Sequence, residues 1–252
     1  MSERLQQRLS RRELLGLGGA LLASHMLKAS EVEEEFSYER LSELGHVGVA
    51  HNAGLNPWRY DKYLNSHASI LELDVLPYEG ELVVGHDMRQ FETLPDEVKA
   101  QQLLEPMMNE AYQVGKVCAL DKKGEASDLI ARQQFNEVIE KVEEVPVVVF
   151  GKDWNHLDEL VTDFPNVFPA HTINSRGGLH DFFEELPNFP NREAVSLEKS
   201  LATPKNLSAL KENGIYVYVW TVNDPRQVLS LEGADAIISD KTRILNAFSG
   251  KV

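Results

Sequence analysis

Two short clusters of ionisable residues carry the first chemical signal. Glu72-Leu73-Asp74 lies at the end of an apolar run over 68–74. On a strand, alternation sends Glu72 and Asp74 to the same face. Two like charges held together on a buried face repel and lose hydration, which is costly without a cation. A hard divalent ion with oxygen ligands relieves both penalties, so Mg²⁺ or Ca²⁺ is expected. The other placement is an outward polar edge, with both carboxylates in water and Leu71, Leu73 and Val75 turned inward. Asp121-Lys122-Lys123 repeats the alternation: Asp121 and Lys123 would point inward together, and Lys122 outward. Asp121 could then be a third carboxylate for the ion, and Lys123 could neutralise an oxyanion as charge develops. The plainer alternative is a charged turn opening a loop. His51 and His86 are the natural acid–base candidates, because imidazole titrates near neutral pH.

These residues need elements that bring them together. Short apolar, β-branched runs recur at 46–50, 68–74, 116–121, 145–150, 166–170, 193–197, 215–220 and 235–239. Helical patterns follow them at 57–65, 96–113, 127–143, 154–163, 177–186, 204–213, 225–231 and 241–248. Strand–helix alternation implies parallel pairing with right-handed crossovers. Eight such units close into a (β/α)₈ TIM barrel, a single α/β domain over 46–252; a doubly wound open sheet is the alternative. Glu81-Leu82-Val83-Val84 reads as an extra β-arm, and 87–95 as a loop over the same end. A TIM barrel carries its site at the C-terminal strand ends. Polar residues stand there repeatedly: His51 and Asn52, Glu72 and Asp74, His86, Asp121 and Lys123, Lys152, His171, and Trp220.

Composition narrows the class. The chain has 252 residues, 42% hydrophobic, enough for one substantial core. With 40 acidic against 25 basic residues its formal charge is −15, which opposes nucleic-acid binding, since that needs clustered Lys and Arg. The lone cysteine, Cys118, sits in an apolar run and forms no internal disulfide; it reads as a small core residue. Ser10-Arg11-Arg12-Glu13-Leu14-Leu15, followed by a short apolar stretch to Leu27, resembles a twin-arginine export signal over 1–30, with a frayed amphipathic helix as the alternative. Residues 31–45 read as an acidic linker and lead-in. The expected location is therefore extracytoplasmic, or cytoplasmic if the leader does not function. Membrane contact is expected only through that leader or a lipid substrate. The sequence is silent on oligomeric state.

Taken in order, His51, Glu72-Leu73-Asp74, His86-Asp87, Asp121-Lys122-Lys123 and Trp220-Thr221-Val222-Asn223, with a last strand Gly233 to Asp240, resemble the glycerophosphodiester phosphodiesterases. The match spans roughly 46 to 243. The resemblance implies a phosphoric diester hydrolase. Glu72, Asp74 and Asp121 would bind the divalent cation, His51 and His86 would act as the acid–base pair, and Lys123 would support the phosphate. Trp220 would line the substrate pocket, or merely pack the barrel. Lys152 is added as a phosphate contact. Asn52 stands where the family has Arg, so a bidentate phosphate contact becomes at most an amide contact at that place. The family's Pro-Glu-Asn-Thr segment is replaced by Asn56-Pro57-Trp58, and Asp121 replaces the usual Glu. Asp-x-Lys with a short first loop looks like the sphingomyelinase D-type phospholipases of the same superfamily. The expected substrate is a small-molecule or lipid-derived phosphodiester. A glycerophosphodiester comes first, and a lysophospholipid or sphingolipid head group is the alternative. A catalytically silent barrel that binds metal or a partner remains the reading from another class.

Overall fold

The computed structural model describes residues 46–123, 129–142, 145–189 and 192–248. The proposed leader (1–30) and acidic linker (31–45) lie outside the described residues. No described helix is long and apolar enough to cross a membrane.

Among the described residues nine strands form one sheet: β1 (Val47–Ala50), β2 (Ile70–Tyr78), β3 (Glu81–Val84), β4 (Val117–Lys122), β5 (Val147–Gly151), β6 (Val167–Ile173), β7 (Ala194–Glu198), β8 (Tyr216–Trp220) and β9 (Ala236–Ser239). Its order is β1-β9-β8-β7-β6-β5-β4-β2-β3, with β1 also paired to β2. That last pairing closes eight parallel strands into a barrel, and β3 hangs outside as an antiparallel arm on β2. This is the expected TIM barrel. Helices α1 (Pro57–Leu64), α2 (Met88–Glu92), α3 (Asp96–Ala100), α4 (Leu104–Gln113), α5 (Leu129–Lys141) and α6 (Trp154–Asp163) cover the first half. Helices α7 (Arg176–Glu185), α8 (Pro204–Glu212), α9 (Pro225–Leu229) and α10 (Thr242–Ala247) cover the second.

Strand parity divides the apolar residues into two layers. Val49, Ile70, Ala119, Val148, Phe150, Phe168, Ala170, Tyr218 and Ile238 fill the barrel interior. Leu71, Leu73, Val75, Cys118 and Leu120 face the helices instead. The inward set on β2 is therefore Ile70, Glu72 and Asp74, which removes the outward-edge alternative. Cys118 is a buried core thiol, as read from its surroundings, and burial pushes its pKa up to about 12.

Around the β3 arm the structure differs from the sequence reading for tertiary reasons. The expected helix over 96–113 is two helices. Between them Leu103 bridges Val83, the Gln102 carbonyl accepts from Val84 N at 2.7 Å, and Gln102 Nε2 donates to Gly54 O at 2.9 Å. Backbone spent on β3 cannot also close helical turns. The expected loop over 87–95 contains α2, whose first turn is capped by Asp87 Oδ1, accepting from Arg89 N at 2.7 Å. Strand β2 runs on to Tyr78 because the β3 arm supplies its pairing partners, Val75 with Val84 through Tyr78 with Glu81.

The β1–α1 loop is held close to this arm. A Cβ on Gly54 would come within 2.2 Å of Val84 Cγ1 and 3.0 Å of Leu73 Cδ2. Gly54→Ala should therefore lower stability by about 1–3 kcal/mol through overpacking. It should also impair turnover, because the same loop carries His51 and Asn52. Urea denaturation checks the first effect; unchanged stability would mean that the loop is free to shift.

Candidate active site

The C-terminal strand ends converge as barrel geometry requires. In the β2–β4 register Asp74 lies beside Asp121, two residues beyond the Glu72–Ala119 pair. Glu72, Asp74 and Asp121 each offer an oxygen within 4.8 Å of the others. Glu72 and Asp74 are each 3% exposed. Burial first, then the charges of Asp74 and Asp121, push the Glu72 carboxyl well above its ordinary range, against the Asn52 N–H that donates to its Oε2 at 2.5 Å. Burial also raises Asp121, opposed by Lys123 and, more weakly, by Lys152. Lys152 is exposed at the end of β5, in reach of Asp121 by charge.

Lys123 Nζ stands 2.8 Å from Asp74 Oδ1 and also contacts Asp121 Oδ2. Burial would lower its pKa, but the two carboxylates outweigh that and raise it. Among the described residues neither Asp74 oxygen receives a hydrogen bond of good geometry. One ammonium thus stands against three clustered carboxylates, which leaves a local negative excess. Two buried Asp74 oxygens, one in ion-pair contact with Lys123 at 2.8 Å and the other without a hydrogen-bond donor among the described residues, in an all-oxygen set, suit a hard divalent cation. Glu72, Asp74 and Asp121 are the residues that could hold it.

His86 follows β3, is 58% exposed in its side chain, and has Nε2 3.9 Å from Asp74 Oδ2. His51 follows β1, and its Nδ1 lies 3.0 Å from Asp240 Oδ1. A carboxylate only accepts, so Nδ1 carries the proton and neutral His51 keeps its lone pair on Nε2. Asn52, at a left-handed φ of 50°, rests its side-chain amide nitrogen 3.3 Å from that Nε2. Trp220 ends β8 on the inward face, partly buried, with its indole Nε1 buried and without a partner among the described residues.

Of three residues around His51, Asn223 and Asp240 stand in segments quoted for the resemblance but carried no assigned role, and Arg59 was not singled out. Asp240 receives Arg59 Nη2 at 2.6 Å and Asn223 Nδ2 at 2.7 Å. The His51 hydrogen bond holds the Asp240 carboxyl below its usual range first; Asn223 and Arg59 reinforce this against burial. Asp240 directly follows β9, so the strand-end rule that selected the others applies to it as well. Arg59 carries no comparable local signal, because it lies on a helix.

No protein-family model and no curated protein matches this chain. Solved structures do. A phosphodiesterase of Oleispira antarctica, solved with the product sn-glycerol-3-phosphate, aligns at TM-score 0.60 and 20% identity over 79% of this chain and 94% of its own. A glycerophosphodiester phosphodiesterase from Agrobacterium tumefaciens aligns at 0.57 and 15% over 80% and 99%. A glycerophosphoryl diester phosphodiesterase from Parabacteroides distasonis aligns at 0.59 and 13% over 84% and 92%. The chain shares their barrel fold.

His171 corrects the sequence reading. It was placed at a strand end, but β6 continues to Ile173 and parity turns His171 outward, away from Phe168 and Ala170. It is fully buried beside Trp154 and Phe182, with Nε2 3.3 Å from Asp158 Oδ1. It belongs to the packing between barrel and helices. His156 is similar: it packs edge-on to Phe135 with Nε2 unpartnered among the described residues. Burial, then the charges of Lys122 and Arg132, pushes its pKa down to about 4. A folded pKa below the unfolded value near 6.5 leaves stability intact above pH 6.5 and loses it as pH falls toward 4. His156→Phe should therefore lose less Tm between pH 6.5 and 4.5 than the wild type does. Parallel Tm curves would contradict the buried neutral imidazole.

Proposed function

We propose that the chain is a divalent-metal-dependent phosphodiesterase. It would hydrolyse glycerophosphodiesters to glycerol phosphate and an alcohol. The observation that carries this is the gathering of three carboxylates, a lysine and two histidines at the C-terminal mouth of the barrel. The three structures named above are phosphodiesterases by name, and one was solved with sn-glycerol-3-phosphate, which supports the substrate class.

A bound Mg²⁺ or Ca²⁺ would supply Lewis-acid polarisation of a phosphoryl oxygen. Glu72, Asp74 and Asp121 would hold it. Lys123 balances part of their charge and lies where it can face a phosphate oxygen that gains charge as the P–O bond breaks. Lys152 adds a second cation at the rim, and Asn52 can offer its amide nitrogen. Of the two imidazoles, one accepts the proton of the attacking water, or of a neighbouring substrate hydroxyl that forms a cyclic phosphate which water then opens, and the other gives a proton to the departing alkoxide. Asp240 keeps His51 in the Nδ1–H form, so proton transfer there runs through Nε2. Trp220 closes the inward wall of the mouth.

The test is hydrolysis of bis-p-nitrophenyl phosphate, glycerophosphocholine and lysophosphatidylcholine, with Mg²⁺ or Ca²⁺ and then with EDTA. Turnover of glycerophosphocholine that EDTA removes and metal restores is the expected result. Preference for the lysophospholipid would move the assignment to a phospholipase D-like enzyme. No turnover of any of the three would leave a silent barrel.

A further inference from the structure

Arg59 lies on α1, whose N-terminus is capped by Asn56 Oδ1 accepting from Arg59 N at 2.8 Å. Its side chain reaches back to the barrel mouth. There a single nitrogen, Nη2, donates to the backbone carbonyl of His51 at 2.8 Å and to Asp240 Oδ1 at 2.6 Å. The guanidinium lies over the Tyr63 ring, 5.4 Å from its centroid, and the Tyr63 hydroxyl donates to Asp240 O at 2.7 Å. Asp240 Oδ1 is the same oxygen that meets His51 Nδ1. Asn223 Nδ2 holds the other carboxylate oxygen.

The consequence follows from how an imidazole can move. A half-turn about its Cβ–Cγ bond exchanges Nδ1 for a carbon and displaces Nε2. What opposes that turn is a carboxylate that cannot rotate to follow. Arg59 holds both ends: the backbone from which the ring hangs and the acceptor to which the ring is bound.

We infer that Arg59 is a positioning residue for His51, fixing the ring so that Nε2 is the nitrogen presented for proton transfer. The inference rests on the acid–base role given to His51 above. Arg59 itself touches no reacting atom.

Three variants of the full chain test it: Arg59→Met, Arg59→Lys and Tyr63→Phe. Each is assayed with Mg²⁺ or Ca²⁺ and examined by ¹⁵N NMR of its histidine side chains. Arg59→Met should lower kcat roughly 10–100-fold, the scale of a misplaced catalytic group, with KM nearly unchanged. The ¹⁵N spectrum of His51 should change from one Nδ1–H form to a mixture. Arg59→Lys should recover part of both. Tyr63→Phe, which removes a bond to the Asp240 backbone but leaves its carboxylate alone, should keep the single form.

A single Nδ1–H form in Arg59→Met overturns the inference. So does a raised KM at unchanged kcat, which would make Arg59 a substrate ligand. If the wild type turns over no phosphodiester, the functional reading falls, while the NMR arm still decides whether Arg59 orients the ring. If Arg59→Met does not fold, Arg59→Lys against Tyr63→Phe supplies the same contrast.

Discussion

Glu72→Gln is expected to abolish turnover and, in metal-free protein, to raise the melting temperature. The two effects have one cause. Glu72 sits buried with Asp74 and Asp121 nearby, so its charged form is disfavoured in the fold. A carboxyl whose folded pKa lies above its unfolded value costs stability as pH rises through the unfolded value, and that cost persists at neutral pH. Glutamine keeps the shape and an oxygen to accept the Asn52 N–H, but carries no charge. Each kcal/mol so recovered corresponds to roughly 2–4 °C in a domain of this size. Loss of metal polarisation is expected to lower kcat about 10³-fold or more, since that polarisation is worth several kcal/mol. Divalent cation should stabilise the wild type by mass action, and the variant much less. Calorimetry with and without Mg²⁺ or Ca²⁺, beside the phosphodiester assay, checks all three. A variant that melts lower than the metal-free wild type would deny that the cluster is electrostatically strained; one that retains turnover would deny that Glu72 holds the ion.

His51→Ala is the second large effect. Removing one acid–base imidazole should lower kcat by ~10²–10⁴-fold. The fold should survive, because Asp240 would still be held by Arg59 and Asn223 and would not become a buried, unpaired charge. His51 makes its backbone bond to Ser239 through its N–H, which alanine retains. Circular dichroism and Tm close to wild type, with turnover reduced by at least two decades, is the expected pair of results. Near-normal hydrolysis would remove His51 from the proton path and leave His86 as the imidazole to examine.

Much of the site could be read from local pattern because strand parity is a local property. Two residues along one strand share a face, so Glu72 with Asp74 and Asp121 with Lys123 were legible as pairs. That the pairs meet depends on register, Asp74 beside Asp121, and the expectation of parallel adjacent strands carried that step. His171 shows the limit. Its side follows from parity, but only if the strand is known to continue past it; the strand read as 166–170 runs on to Ile173. The helix expected over 96–113 shows another, since the demand of β3 on Gln102 and Leu103 comes from residues about twenty positions away in the chain.

Alternation of apolar and polar residues, the order of strands and helices, and the chemistry at successive strand ends were thus enough to specify a parallel barrel with an acidic, metal-suited mouth. The surroundings of His51 were not specified that way. Asp240 meets it from the last strand, Arg59 from the first helix and Asn223 from the loop after β8. Arg59 is only eight residues from His51, but Asp240 is 189 positions away and becomes its neighbour only when β1 pairs with β9. Short-range periodicity encodes which way a side chain points. Barrel closure decides which distant side chains it then meets, and here it brings Asp240 to His51 Nδ1.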